Sequence, residues 1–252
     1  SINITGTGSV RSVVNNTATV VDAGVTVSGN LDISGFTVTI TSGYTAGDVL
    51  SYTGTLPSGV TASAFNTTSR SLEFTGTTTV ANWQALLRTV TLQTTSAACF
   101  PETRKVSFIA GIKFYNFFNG HFYEYRSTPA SWSTAKAYAE SQTYFGRKGY
   151  LATISSAAEN SFINKLIAAN SWIGCSDNKT VVNAAVGYSK YSSQSVAEGK
   201  FHWVTGPEKG TQLRTGNAST AENPGVAISG VYQNWRVAAT YGPNEPNDYP
   251  NL

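Results

Sequence analysis

Apolar residues alternate through the first 110 positions of this chain, and the alternation stops near residue 111. Val20, Val25 and Val27 set the pattern, and Phe36, Val38 and Ile40 continue it. Gly29-Asn30, Ser34-Gly35 and Leu56-Pro57-Ser58-Gly59 punctuate it. A period of two puts every second side chain on the same face, so each run lies on a half-buried sheet. With turn signals about every 8 to 12 residues, the pattern predicts an all-β sandwich over residues 1–112. One segment departs from it. Thr79 to Arg88 carries Trp83, Leu86 and Leu87 at helical spacing, which predicts a short helix crossing between sheets. Thr89–Leu92 and Lys105–Ile109 read as further strands.

Beyond residue 111 aromatic side chains crowd together: Phe114, Tyr115, Phe117, Phe118, Phe122, Tyr123 and Tyr125. A helix is predicted over 131–140, capped by Ser131 or Ser133, with Ala135, Tyr138 and Ala139 on one face. Ser156-Ala157-Ala158-Glu159 is a capping box, in which the serine hydroxyl and the glutamate carboxylate each satisfy an orphan amide. Phe162, Ile163, Leu166 and Ile167 form the apolar stripe of the helix it opens. Gly149–Ile154 reads as a short buried strand, followed by Trp172-Ile173-Gly174 and Phe201–Gly206. Residues 113–252 are therefore predicted to be α+β: two helices on a small, loop-rich antiparallel sheet.

Composition narrows the function. Charged residues make up only 12% of the chain, about half the usual share, and the formal charge is +3 with no block of one sign. Nucleic acid would call for a basic stripe, and none is visible. No apolar run approaches the roughly 20 residues of a membrane helix, so no membrane insertion is expected. The surface must be covered by Ser, Thr, Asn and Gly, a composition common in secreted surface proteins. The chain begins inside a strand-like pattern and ends inside a motif, so it reads as a piece of a longer polypeptide. Cys99 and Cys175 fit no metal or redox spacing. They either pair across a domain boundary or remain two buried thiols.

Two resemblances follow. "LEFTGTTTVANWQALLRTVTL" and then "RKVSFIAG" resemble the cadherin-like or immunoglobulin-like repeats of large bacterial adhesins, best over residues 45–110. Such repeats act as spacers, sometimes stiffened by calcium, but Asp22, Asp32 and Asp48 are too scattered to suggest that here. "GYLATISSAAENSFI", "WIG", "FHWVTGP", Asn234-Trp235 and "EPND" occur in the order of the C-type lectin-like domain, over roughly residues 118–252. The family's last strands and the tryptophan-asparagine-aspartate motif after "EPND" would fall beyond Leu252. The pairing of the two domain types resembles giant surface proteins of gliding and biofilm bacteria of the Bacteroidetes kind.

The lectin-like resemblance implies a site at Glu245-Pro246-Asn247. Calcium takes six to eight oxygen ligands. A cis bond before Pro246 would aim the Glu245 and Asn247 side chains at one ion, and two neighbouring sugar hydroxyls would complete its shell. Glu245 accepts from one hydroxyl while the Asn247 amide donates to another. In the family this order goes with mannose-, glucose- or fucose-type diols. The remaining ligands implied by the family fall past Leu252, with Asp248 or Asn244 as substitutes. Tyr241 and Tyr249 could stack on a sugar ring. Asp177, after the "WIG" strand, and Glu208 are accessory calcium candidates, although Asp177-Asn178 is also a plain turn.

His202 lies beside Trp203, so alternation turns it to the opposite face, as a surface or interface residue. His121 is read the same way. The stretch between Pro207 and Asn234 is polar and Gly-rich and reads as a long rim loop beside Glu245. The sequence thus predicts a non-enzymatic, extracellular adhesin held at the bacterial outer membrane. A spacer would present a calcium-dependent lectin-like domain to polysaccharide or glycoprotein, next to further modules of the same polypeptide. One alternative is a lectin-like domain without sugar binding that contacts proteins of a surface or secretion assembly. Another is an enzyme on a related fold using cysteine chemistry, against which Cys175 in a core-strand position argues.

Overall fold

The computed structural model describes residues 2–30, 34–96, 103–144, 146–215 and 226–234. The chain divides into two compact units, Ser1–Tyr125 and Arg126–Leu252.

The first unit contains β1 (Ile2–Thr5), β2 (Thr19–Val20), β3 (Thr26–Gly29), β4 (Gly35–Ser42), β5 (Asp48–Tyr52), β6 (Val60–Ala62), β7 (Ser71–Gly76), α1 (Val80–Leu87), β8 (Val90–Thr94), β9 (Lys105–Ala110), β10 (Phe114–Asn116) and β11 (His121–Tyr123). One antiparallel sheet has the order β6-β7-β4-β9, and the other β2-β8-β5. The alternation of the sequence is realised on both. Phe36, Val38 and Ile40 of β4, Leu72 and Phe74 of β7, Leu50 of β5, and Val90 and Leu92 of β8 meet in one buried core. Tyr52 closes on Phe74 edge to face, with ring centroids 5.3 Å apart. α1 forms where helical spacing was predicted. The Thr79 hydroxyl accepts from Asn82 N at 3.2 Å, and Trp83, Leu86 and Leu87 enter the same core. Trp83 packs against Phe36 at 4.9 Å.

The acids of this unit serve the fold. Asp22 accepts from Thr7 N at 2.7 Å, Thr7 Oγ1 at 2.9 Å and Gly24 N at 2.9 Å, so it ties the segment after β1 to the turn before β3. Burial alone would raise its pKa, but these donors hold it below the usual carboxylate value. Asp48 is fully buried and paired with Arg104 Nε at 3.0 Å, and it also accepts from Thr45 N at 2.9 Å. Asp32 lies outside the described residues.

The contacts divide the chain after Tyr125, whereas composition placed the boundary at 112/113. The hairpin β10–β11 carries the aromatic crowding, yet it is fastened to β4. Thr37 Oγ1 donates to Gly111 O at 2.9 Å and accepts from Lys113 N at 3.1 Å. The Arg70 guanidinium lies 3.2 Å from the Phe117 ring centroid and 4.5 Å from that of Tyr44. Composition marked a change of side-chain type here, not a change of contact.

The second unit contains α2 (Trp132–Ser141), β12 (Thr143–Tyr144), β13 (Arg147–Lys148), α3 (Ala157–Leu166), β14 (Cys175–Ser176), α4 (Lys179–Val186), α5 (Gln194–Ala197), β15 (His202–Trp203), β16 (Arg214–Thr215) and β17 (Val226–Ala227). Among the described residues its strands form three two-stranded antiparallel sheets, β12-β13, β14-β15 and β16-β17. α2 and α3 match the two predicted helices. Ser131 caps α2 through Thr134 N, and Ser156 caps α3 through Glu159 N. The capping box is offset by one residue, because the Glu159 carboxylate takes Ser155 N at 2.7 Å and Ser155 Oγ at 3.0 Å.

Among the described residues two helices, α4 and α5, are present beyond the predicted pair. Asn178 Oδ1 caps α4 through Thr180 N and Val181 N, and Gly187 ends it at φ 81°. Val182 of α4 then packs with Tyr191, Ala197 and Val204. The stretch 149–154 is not a regular strand; its pairing is limited to single bonds. The region 207–234 is not an irregular loop throughout, since β16 and β17 pair within it and Leu213 is fully buried.

Candidate functional site

Three motif segments of the second unit converge. Gly174 N donates to Ala152 O at 2.8 Å, Val204 N to Gly174 O at 2.8 Å, and Thr205 Oγ1 to Leu151 O at 2.8 Å. "GYLATI", "WIG" and "FHWVTGP" therefore sit side by side. The closeness requires glycine at 174: a Cβ there would lie 1.8 Å from Thr205 Oγ1 and 2.7 Å from Leu151 O. Tryptophans pin the ladder to the rest of the unit. Trp132 Nε1 donates to Ile173 O at 2.9 Å and Trp172 Nε1 to Ala130 O at 2.8 Å.

A polar cluster lies beside this ladder. Thr153 Oγ1 donates to Glu208 Oε2. The Tyr150 hydroxyl is raised by burial and by the negative charges of Glu208 and Glu159. Glu208 is thus held by a buried threonine. A cleft of about 50 Å³ opens between Ile154, Asn160, Ile173, Trp203, Tyr232, Gln233 and Asn234.

Asp177 follows β14 and is buried. Its Oδ2 accepts from Gly199 N at 2.9 Å, and its backbone carbonyl accepts from Gln194 Nε2 at 3.3 Å. The carboxylate therefore braces the turn before β15. Among the described residues, no three His, Cys, Asp or Glu side chains gather as a metal-binding group. Glu245, Asn247, Asp248, Asn244, Tyr241 and Tyr249 lie outside the described residues, as does Cys99 with the question of its pairing. Burial pushes the Cys175 thiol up to about 12, with the charge of Asp177 adding to it. At neutral pH the group is a thiol and a poor nucleophile.

His202 is not on the surface: it is fully buried. Alternation correctly sets it across the strand from Trp203, but both sides of β15 are covered. Its Nε2 lies 2.8 Å from Lys190 Nζ, its Nδ1 lies 2.6 Å from Lys200 O, and its ring meets Tyr191 edge to face at 5.7 Å. A carbonyl on one side and an ammonium donor on the other fix the neutral ring with its proton on Nδ1. Burial lowers its pKa to about 4; the bond to Lys200 O opposes this, and the positive charge of Lys190 adds a smaller lowering. Lys190 as its partner was not legible in the sequence, because the contact depends on the turn after α4. His121 is half-buried at the start of β11, with its ring 6.5 Å from that of Tyr123.

With this geometry established, comparison with known proteins gives one likeness. The chain is similar to halomucin of Haloquadratum walsbyi. The two are 32% identical over 263 aligned residues, which take in 98% of this chain. The chain spans only about 3% of halomucin's own length. No family model and no solved structure matches the chain. Among the described residues, no helix is long and apolar enough to cross a membrane.

Proposed function

We propose that the chain is part of a large cell-surface protein and that its second unit is a C-type lectin-like module. On this reading the module binds mannose-, glucose- or fucose-type diols through a calcium ion held by Glu245 and Asn247. The observation that carries the reading is the ladder joining Leu151–Ala152, Gly174 and Val204–Thr205, which brings together the segments the lectin-like resemblance depends on. The likeness to halomucin along nearly the whole chain supports the surface placement. The first unit serves as a spacer, since Asp22 and Asp48 are committed to its own backbone and to Arg104. The module recognises and does not catalyse: ion-bridged coordination of a diol involves no bond breaking. A single site of this kind binds modestly, so adhesion relies on many copies.

The test is a glycan array probed with the full-length protein, with calcium and with chelator. Chelator is expected to abolish the signal, and Glu245→Gln to do the same with the circular dichroism spectrum unchanged. Binding that survives chelator would replace this reading with one of contact to another surface protein.

A further inference from the structure

We infer that Asn15 is an N-glycosylation site on the first unit. The inference rests on the surface placement proposed above but not on the lectin-like site. Five Asn-x-Ser/Thr triplets occur: Asn3-Ile4-Thr5, Asn15-Asn16-Thr17, Asn66-Thr67-Thr68, Asn178-Lys179-Thr180 and Asn217-Ala218-Ser219. In a chain this rich in Ser and Thr the triplet carries little weight alone, so the structure has to separate them. Asn217 lies outside the described residues.

Asn66 and Asn178 are both half-buried and occupied. Asn66 Oδ1 accepts from Thr68 N at 2.9 Å and Ser69 N at 3.2 Å. Asn178 Oδ1 caps α4 through Thr180 N at 3.0 Å and Val181 N at 3.2 Å. Presenting either amide to an enzyme would break a turn or a helix cap. Asn3 is exposed, but it lies in β1, paired opposite Ser28. Presenting it to an enzyme would require β1 to leave β3.

Asn15 differs on each count. It is exposed, and so are Asn16 and Thr17. The chain turns there: Asn16 has φ 58°, and Thr17 N donates to Val14 O at 3.1 Å. The Thr17 hydroxyl lies 3.5 Å from the backbone carbonyl oxygen of Asn15, as in a local turn. The bond reaches the backbone only, so the side-chain amide of Asn15 is left to solvent and can be presented without unmaking a strand, a helix cap or a side-chain bond. The Asn15 side chain makes no hydrogen bond among the described residues. Val10 and Val14 flank it and are 91% and 62% exposed, so a glycan here would also shield apolar surface.

The donor is an oligosaccharide linked through phosphate to a lipid carrier. Asn15 Nδ2 attacks the anomeric carbon, and a C1–N bond forms as the bond from C1 to the phosphate oxygen breaks. The lipid phosphate leaves with the electron pair, and the amide proton passes to a basic group of the transferase.

Trypsin with Asp-N cuts after Arg11 and before Asp22, releasing Ser12–Val21 from protein isolated from its native cells. Mass spectrometry with electron-transfer fragmentation is expected to place a sugar increment on Asn15. Asn15→Gln and Thr17→Ala should each remove it, and Thr17→Ser should retain it. A bare Asn15 overturns the inference, whether or not another triplet or a hydroxyl of the same peptide carries sugar. Protease added to intact cells separates the two failures. Cleavage of a chain with bare Asn15 leaves the surface placement standing, whereas a protected, unmodified chain removes both.

Discussion

His202 sets a pH limit on the second unit. The ring is neutral in the folded chain, held between Lys190 Nζ and Lys200 O, with a pKa near 4 against an ordinary value of 6.5. Folding therefore opposes protonation. The stabilisation is complete above pH 6.5 and is lost progressively as pH falls from 6.5 to about 4, where the folded state would have to seat two cations side by side. A shift of that size corresponds to at most about 3 kcal/mol. Urea unfolding followed by tryptophan fluorescence is expected to show a lower midpoint at pH 4.5 than at pH 7.5. His202→Gln should flatten the difference, and an unchanged difference would refute this assignment. Asp48 acts in the first unit at lower pH. Burial would raise its pKa, but Arg104 and Thr45 N hold it below the usual value, so its contribution is present above that value and fades in stronger acid. Asp48→Ala leaves Arg104 without this partner and is expected to cost about 3–5 kcal/mol in chemical denaturation at pH 7.

At the scale of elements, the ladder depends on a glycine. Gly174→Ala would drive a methyl group into Thr205 Oγ1 and Leu151 O, and overpacking of this kind costs about 1–3 kcal/mol. The expected result is a lower thermal midpoint, with hydrogen exchange accelerated at Gly174 and Val204 and unchanged in β4 and β7. Uniform acceleration would mean that the ladder is not a local structure. The same elements show what a sequence can reveal. α1 was legible from its stripe of period 3.6 alone, α2 and α3 from a capping side chain joined to such a stripe. α4 carried Asn178 and Gly187 at its ends, but its apolar residues are valines and alanines, without the Trp and Leu that mark the equally short α1. Residues 149–154 looked like a strand because they are apolar and lie beside strands, yet they pair only at isolated positions. His202 was misplaced because alternation reports which side of a strand a residue takes, not what covers that side. Glu245 and Asn247 were legible as a motif alone, since a ligand set is assembled by tertiary contact.

At the scale of the molecule, the question is where one folding unit stops. The aromatic residues after 111 suggest the start of a new domain, but their bonds run backward. Phe114 and Asn116 are buried, Lys113 pairs with Glu124 at 3.3 Å, Thr37 bridges Gly111 and Lys113, and Arg70 stacks on Phe117. A fragment ending at 112 would lose the burial of Phe114, about 1.5–3 kcal/mol for a large apolar side chain, and at least one hydrogen bond of about 1 kcal/mol. In a domain of this size each kcal/mol moves the midpoint by roughly 4 °C. Fragment 1–125 is therefore expected to melt in one cooperative transition some 10 °C or more above fragment 1–112, as followed by circular dichroism at equal concentration. Equal midpoints would show that the hairpin contributes nothing to the first unit. The boundary would then return to where composition drew it, because low-cost loss of β10–β11 is what a hairpin owned by the second unit predicts.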